Sequence, residues 1–151
     1  MKALLIVDVQ ASYFGRYDAS LLARINRRIL EAQEQKQEII YIQNTKRLRS
    51  GVFTDDFADG LLVATDHIFR KEQADSFSCK ALLDDLESKG VLDVEIIGID
   101  GNSCVSASAK GAIQKGYTVS LNLSCIGVAN PQRFEKTKKT LSAMGVNLIE
   151  V

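Results

Sequence analysis

VEIIGIDGNSCVSASAKGAIQKG, residues 94–116, passes from one secondary-structure period to another. Val94, Ile96, Ile97 and Ile99 make a short apolar run suited to a buried strand. Asp100-Gly101-Asn102-Ser103 follows as a turn, and a helix opens at Cys104. Ala107, Ala109, Ala112 and Ile113 give that helix a small-residue face that can lie close on a sheet. A thiol here stands where the helix dipole and unpaired N–H groups favour a thiolate and can hold an oxyanion. Taken alone, a small buried cysteine at a helix start is the commoner reading; its neighbours in space must decide.

Outward from this stretch the same alternation repeats. Ala3–Val9 (ALLIVDV) reads as a strand covered on both faces and broken by Asp8. Gln10–Tyr17 reads as a loop carrying aromatics. Leu21, Leu22, Ile25, Ile29 and Ala32 then recur at helical spacing, with Asp18 or Ser20 as cap. Glu38–Asn44 is a second strand, Thr45–Gly60 a long polar irregular segment, and a short third strand lies around His67–Arg70. A helix is expected over about residues 76–89, stopped by Gly90. After the Cys104 helix come a strand over Tyr117–Leu123, a helix announced by Asn130-Pro131 and ended by Gly145, and a closing strand over Val146–Val151.

No repeat or linker interrupts the 151 residues, so residues 1–151 are read as a single domain. Strands alternating with helices predict an α/β fold with a parallel sheet covered on both sides, and right-handed crossovers make it doubly wound. Ligands of such sheets bind beyond the carboxyl ends of the strands, where the winding reverses. Asp8, Lys71 and Cys104 each fall at or just after a strand's carboxyl end, so all three project toward that edge. A carboxylate near the end of an apolar strand needs a partner, and Lys71 can supply it. A carboxylate can serve as base for the thiol, and an ammonium stabilises a thiolate. Tyr13, Phe14, Gln43 and Phe77 border the same edge and are candidate substrate-binding residues.

Charge and composition narrow the partners. Lys plus Arg equals Asp plus Glu at 19 each, which leaves no net field to draw nucleic acid or an anionic membrane. No apolar run reaches membrane-spanning length, and the N-terminal run meets Asp8 too early for a signal peptide; a cytoplasmic location is expected. Three cysteines, an odd number with no metal or redox spacing, argue against a disulfide framework. His67 is the single histidine, which removes most zinc sites, and its place at a strand start suits a structural role. No glycine-rich phosphate loop follows the first strand, which disfavours a nucleotide binder.

Leu5-Ile6-Val7-Asp8-Val9-Gln10, Lys71 with Phe77 six residues on, Gly98-Ile99-Asp100-Gly101-Asn102-Ser103-Cys104-Val105, Ala112 and Gly116-Tyr117-Thr118-Val119 together resemble the isochorismatase-like cysteine hydrolases. That family includes nicotinamidases and carbamoyl-amide hydrolases. The resemblance implies a three-layer αβα sandwich with a six-stranded parallel sheet and an Asp–Lys–Cys triad. By position, Cys104 would be nucleophile, Asp8 general base and Lys71 electrostatic stabiliser. It also implies a non-proline cis peptide at Ile99-Asp100 and an oxyanion hole at the N–H groups of Asp100 and Cys104. The activity implied is hydrolysis of an amide or ureido C–N bond of a small molecule through a thioester, without a cofactor. A catalytically silent relative that binds a ligand or partner is the alternative. A vinyl-ether hydrolase of the isochorismatase type is another, disfavoured because Cys104 is retained.

The chain also departs from the family pattern. Nicotinamidases resemble one another in an Asp-x-His…His metal cluster after the second strand, where this chain has Asn44-Thr45-Lys46-Arg47. No catalytic metal is therefore expected. Gly101-Asn102-Ser103 replaces a more acidic approach to the nucleophile, Ser124 stands where an acidic residue is common, and Asp100 replaces a small apolar residue. By analogy the protein is expected to be a homo-oligomer, dimer or tetramer, with the Arg-rich Thr45–Phe57 segment as a contact.

Overall fold

The computed structural model describes residues 1–48, 51–54 and 56–151. Six strands run parallel: β1 (Lys2–Val7), β2 (Glu38–Leu48), β4 (Ile68–Lys71), β5 (Asp93–Ile99), β6 (Thr118–Gly127) and β7 (Asn147–Ile149). β4 pairs with β2, and the sheet continues β2-β1-β5-β6-β7. β1 is therefore central, bonded to β2 through Leu5↔Ile40 and to β5 through Leu5↔Ile96. The chain first winds outward from β1 to β2 and β4, then returns to β5 and winds the other way. The reversal lies between β1 and β5.

Two apolar cores flank the sheet. On one face α2 (Leu21–Glu34) buries Leu21, Ile25, Ile29 and Ala32 against Leu4, Ile6, Ile39 and Tyr41. On the other, α3 (Lys80–Ser88), α4 (Cys104–Gln114) and α5 (Pro131–Ala143) bury Leu82, Leu86, Ala109, Ala112, Phe134 and Leu141. Those residues meet Leu5, Val7, Ile40 and Ile96, the alternate side chains of the same strands. This is the three-layer αβα sandwich expected from the sequence. The crossover from β2 to β4 carries no helix over residues 57–67; instead Phe57, Ala58, Leu61 and Leu62 pack into the α2 core.

Several boundaries differ from the sequence reading. The Gln10–Tyr17 segment contains a helical turn, α1 (Ala11–Phe14). Thr45–Gly60 is not wholly irregular, because β2 continues to Leu48 and pairs antiparallel with β3 (Gly51–Thr54). Hairpin hydrogen bonds satisfy the backbone there without an alternating apolar pattern to betray it. Arg49, one of the basic cluster, lies outside the described residues. The helix expected at Ser76 begins as a 3-10 turn over Ser76–Ser78, capped by the Asp75 carboxylate on the Phe77 N–H at 2.8 Å, and turns α-helical only at Lys80. β6 runs on to Gly127, beyond the Leu123 limit, and so carries Cys125 into the sheet. The Asn130 cap is as read: its side chain accepts from the Arg133 N–H at 3.1 Å.

β1 and β5 meet at Val7↔Gly98. Gly98 has φ +120°, and a Cβ there would overlap the Val7 carbonyl oxygen. Only glycine fits. This point sits beside Asp8, and the β5–β6 register shifts between Ile96 and Gly98.

Candidate active site

Asp8 follows β1 with φ 57°, a left-handed conformation that aspartate tolerates better than most residues. Its N–H donates to the Ile42 carbonyl at 3.0 Å, and the bend delivers the carboxylate to the carboxyl-end edge of the sheet. Lys71, the last residue of β4, reaches the same point from β2's far side; Asn44 and Lys71 are register partners. Cys104 comes from the first residue of α4. Lys71 Nζ lies 3.2 Å from Asp8 Oδ2 and 3.4 Å from Cys104 Sγ. The lysine side chain is fully buried, so its charge is compensated from within the protein.

These three groups set one another's protonation. Burial raises the Asp8 pKa above the ordinary carboxylate value, and the Lys71 charge pulls against that rise. Burial pushes the Cys104 thiol up to about 11, the Asp8 charge adds to the rise, and Lys71 opposes it. At neutral pH the thiol therefore keeps its proton until a base removes it. Among the described residues Asp8 Oδ1 is buried with no hydrogen-bond partner, while Oδ2 holds Lys71. One carboxylate oxygen thus anchors the ammonium and the other is an unused acceptor.

The turn before Cys104 is tied on every side. The Ile99-Asp100 peptide is cis. The Asp100 carbonyl accepts from the N–H groups of Ser103 and Val105 at 3.0 and 3.1 Å, passing over the Cys104 N–H between them. The Asp100 carboxylate accepts from Tyr17 Oη at 3.1 Å, from the Ala129 N–H at 2.8 Å and from the Asn102 N–H at 2.8 Å. It joins the segment between α1 and α2, the loop after β6 and its own turn. Burial and the Asp100 charge hold the Tyr17 hydroxyl protonated, with its pKa raised to about 12.

A cavity of about 360 Å³ opens over these groups, with Asp8, Cys104, Ile99 and Asp100 in its wall. Of the expected substrate-binding residues, Tyr13 lines it. The other three fall outside the lining. Phe14 packs with the α2-side core, Phe77 is buried in the opposite core against Tyr117, and Gln43 is buried within β2. Phe77 and Gln43 are buried and Phe14 is half-buried, each packed within the protein near the edge its backbone borders. The lining also includes Arg16, Tyr17, Asn44, Ser103 and Ala129, which the sequence reading did not single out. The aromatic loop after the first strand was the available signal for Tyr17 and Arg16. Gln10 is buried and grips Asn44 in both directions, accepting from its N–H at 2.7 Å and donating to its carbonyl at 3.2 Å. His67 lies at the other end of β4, 3.6 Å from Glu38.

The family model described as the isochorismatase domain matches residues 2–151. The chain belongs to the isochorismatase family. Its similarity to the streptothricin hydrolase of Streptomyces noursei is 27% identity over 133 residues, 80% of this chain and 52% of that protein. The chain thus spans about half the length of the curated relative it matches. Among solved structures it resembles a pyrazinamidase of Pyrococcus horikoshii in complex with zinc, with a TM-score of 0.84, 19% identity and 99% of each chain covered. It also resembles an N-carbamoylsarcosine amidase from Thermoplasma acidophilum, with a TM-score of 0.81 and 14% identity over 99% of this chain and 95% of that one. At such identities the likeness speaks for the fold. The zinc belongs to the Pyrococcus protein. In this isochorismatase-family chain Asn44-Thr45-Lys46-Arg47 follows the parallel part of β2, and among the described residues no three His, Cys, Asp or Glu side chains gather to hold a metal. Among the described residues the donor set does not fit such a centre.

No helix among the described residues is long and apolar enough to cross a membrane.

Proposed function

We propose that this protein is a cysteine amidohydrolase that cleaves an amide or ureido C–N bond of a small molecule. The reading is carried by one observation: Lys71 Nζ within 3.2 Å of Asp8 Oδ2 and 3.4 Å of Cys104 Sγ, at the winding reversal of the sheet. The amidase names among its structural neighbours and its streptothricin hydrolase relative support the same class of chemistry.

Asp8 takes the thiol proton as Cys104 Sγ attacks the substrate carbonyl carbon. The high thiol pKa makes this transfer necessary, and the paired Lys71 charge stabilises the sulfur while it is anionic. The N–H groups of Asp100 and Cys104 receive the carbonyl oxygen as it becomes an oxyanion. The C–N bond then breaks, and the amine leaves with the proton held by Asp8. Water, deprotonated by the same carboxylate, attacks the thioester and returns the thiol.

Turnover of a panel of primary amides and ureido compounds, followed as released ammonia, tests this directly. Active wild-type protein, a Cys104→Ala variant reduced at least about 10³-fold, and a mass increase on Cys104 after acid quench are expected. Unchanged turnover in Cys104→Ala would remove the mechanism.

A further inference from the structure

Three charged side chains line or floor the cavity, and two are accounted for. Asp8 is neutralised by Lys71. Asp100 is held by three hydrogen-bond donors, the Tyr17 hydroxyl and the N–H groups of Asn102 and Ala129. Arg16 is different. It lines the cavity from the segment just after α1, is solvent-exposed, and among the described residues has no carboxylate within ion-pair distance. A guanidinium offers five N–H donors in a planar fork that matches a carboxylate. At the mouth of a small cavity, beside Tyr13, Ile99 and Ala129, it is the cationic side chain of the lining that has no ion-pair partner among the described residues.

We infer that the substrate is an anionic amide, a small molecule bearing a carboxylate that Arg16 receives while its amide or ureido carbon meets Cys104. This rests on the amidohydrolase reading of the pocket and gives it a substrate class. A cavity of about 360 Å³ suits a compound of that kind and not a polymer. Asp100 keeps its charge, but its oxygens are engaged by donors from three segments, which leaves Arg16 as the charged side chain in the lining with N–H donors to offer a carboxylate. Arg16 touches the substrate's anionic tail and takes no part in bond breaking.

Binding and turnover separate the two ideas. Titration calorimetry on Cys104→Ala protein, which binds without chemistry, compares succinamate and N-carbamoylglycine with their uncharged diamides. Each carboxylate compound is expected to bind at least about tenfold more tightly than its neutral counterpart, the scale of a charge-assisted hydrogen-bonded pair. Adding Arg16→Ala should erase the difference, and Arg16→Lys should restore part of it. In otherwise wild-type protein, Arg16→Ala should raise KM for the carboxylate amides by a similar factor and KM for the diamides by much less. Equal affinity for charged and neutral compounds, a preference that survives Arg16→Ala, or no binding of either overturns the inference. Arg16-dependent binding without turnover by the wild type leaves this inference standing and sinks the amidohydrolase reading instead. Turnover of carboxylate amides and diamides alike, with a KM ratio between them that Arg16→Ala leaves unmoved, does the reverse.

Discussion

The two oxygens of Asp8 differ: Oδ2 fixes the buried Lys71, and Oδ1 has no hydrogen-bond partner among the described residues. Its pKa is a balance in which burial raises the value and Lys71 lowers it. A base must be ionised to act, so the acid limb of kcat/KM should follow Asp8 and lie above the ordinary carboxylate range. Replacing Lys71 by Met removes the lowering influence and leaves burial unopposed. The limb is then expected to move toward higher pH by about one to three units, with a lower plateau. A pH–rate profile of Lys71→Met reads this, and an unmoved limb would show that Lys71 does not govern the base. Asp8 and Cys104 were legible in the sequence because a carboxylate interrupting an apolar strand and a thiol opening a helix are both conspicuous there. Arg16 was not legible, since an arginine in a loop is ordinarily a solvated one and only the cavity gives it a task.

Between β1 and β5, the two segments that bring Asp8 and Cys104 meet at a glycine whose conformation leaves no room for a Cβ. A Cβ on Gly98 would overlap the Val7 carbonyl oxygen and lie 2.7 Å from Val7 N, at a φ of +120°. Both strands are buried and central, so neither can yield without disturbing its other neighbour. Gly98→Ala should cost more than about 3 kcal/mol in urea unfolding, or leave the protein insoluble, through backbone strain and overlap together. A loss below about 1 kcal/mol would mean the sheet can open there, contrary to its register. Elements with a strong period were legible: α2, α4, α5 and the inner strands lie near their expected places. The hairpin of β2 and β3 and the 3-10 turn before α3 were not. Their stability comes from backbone pairing and from the Asp75 cap, neither of which leaves a repeating apolar signature.

Across the whole sandwich, one buried charge network ties the layers together away from the active site. Glu95 of β5 accepts from Arg28 of α2 at 2.8 and 3.0 Å and from Asn122 of β6 at 3.2 Å, with Lys2 at 3.3 Å. Burial pushes the Glu95 pKa up, but Arg28, Asn122 and Lys2 together pull it below the ordinary value of 4.5. A depressed folded pKa stabilises the protein above the unfolded value, and that contribution is lost as pH falls through the folded one. Stability should therefore decline below about pH 4.5 partly through Glu95. Glu95→Ala should cost about 3–5 kcal/mol at neutral pH by stranding Arg28, and should flatten that part of the acid slope. Urea titrations of both proteins across that range decide it; equal acid slopes would discharge Glu95 from the account. The sequence alone determined the alternation of strands and helices, the doubly wound class and the edge where Asp8, Lys71 and Cys104 meet, because periodicity and strand ends are local properties written in residue order. Only the tertiary structure decided which side chains line the cavity, Arg16 and Tyr17 among them and Phe14, Gln43 and Phe77 not, and how burial shifts the protonation of Asp8, Tyr17 and Cys104. Those follow from packing and desolvation, which arise when distant segments close around the same volume.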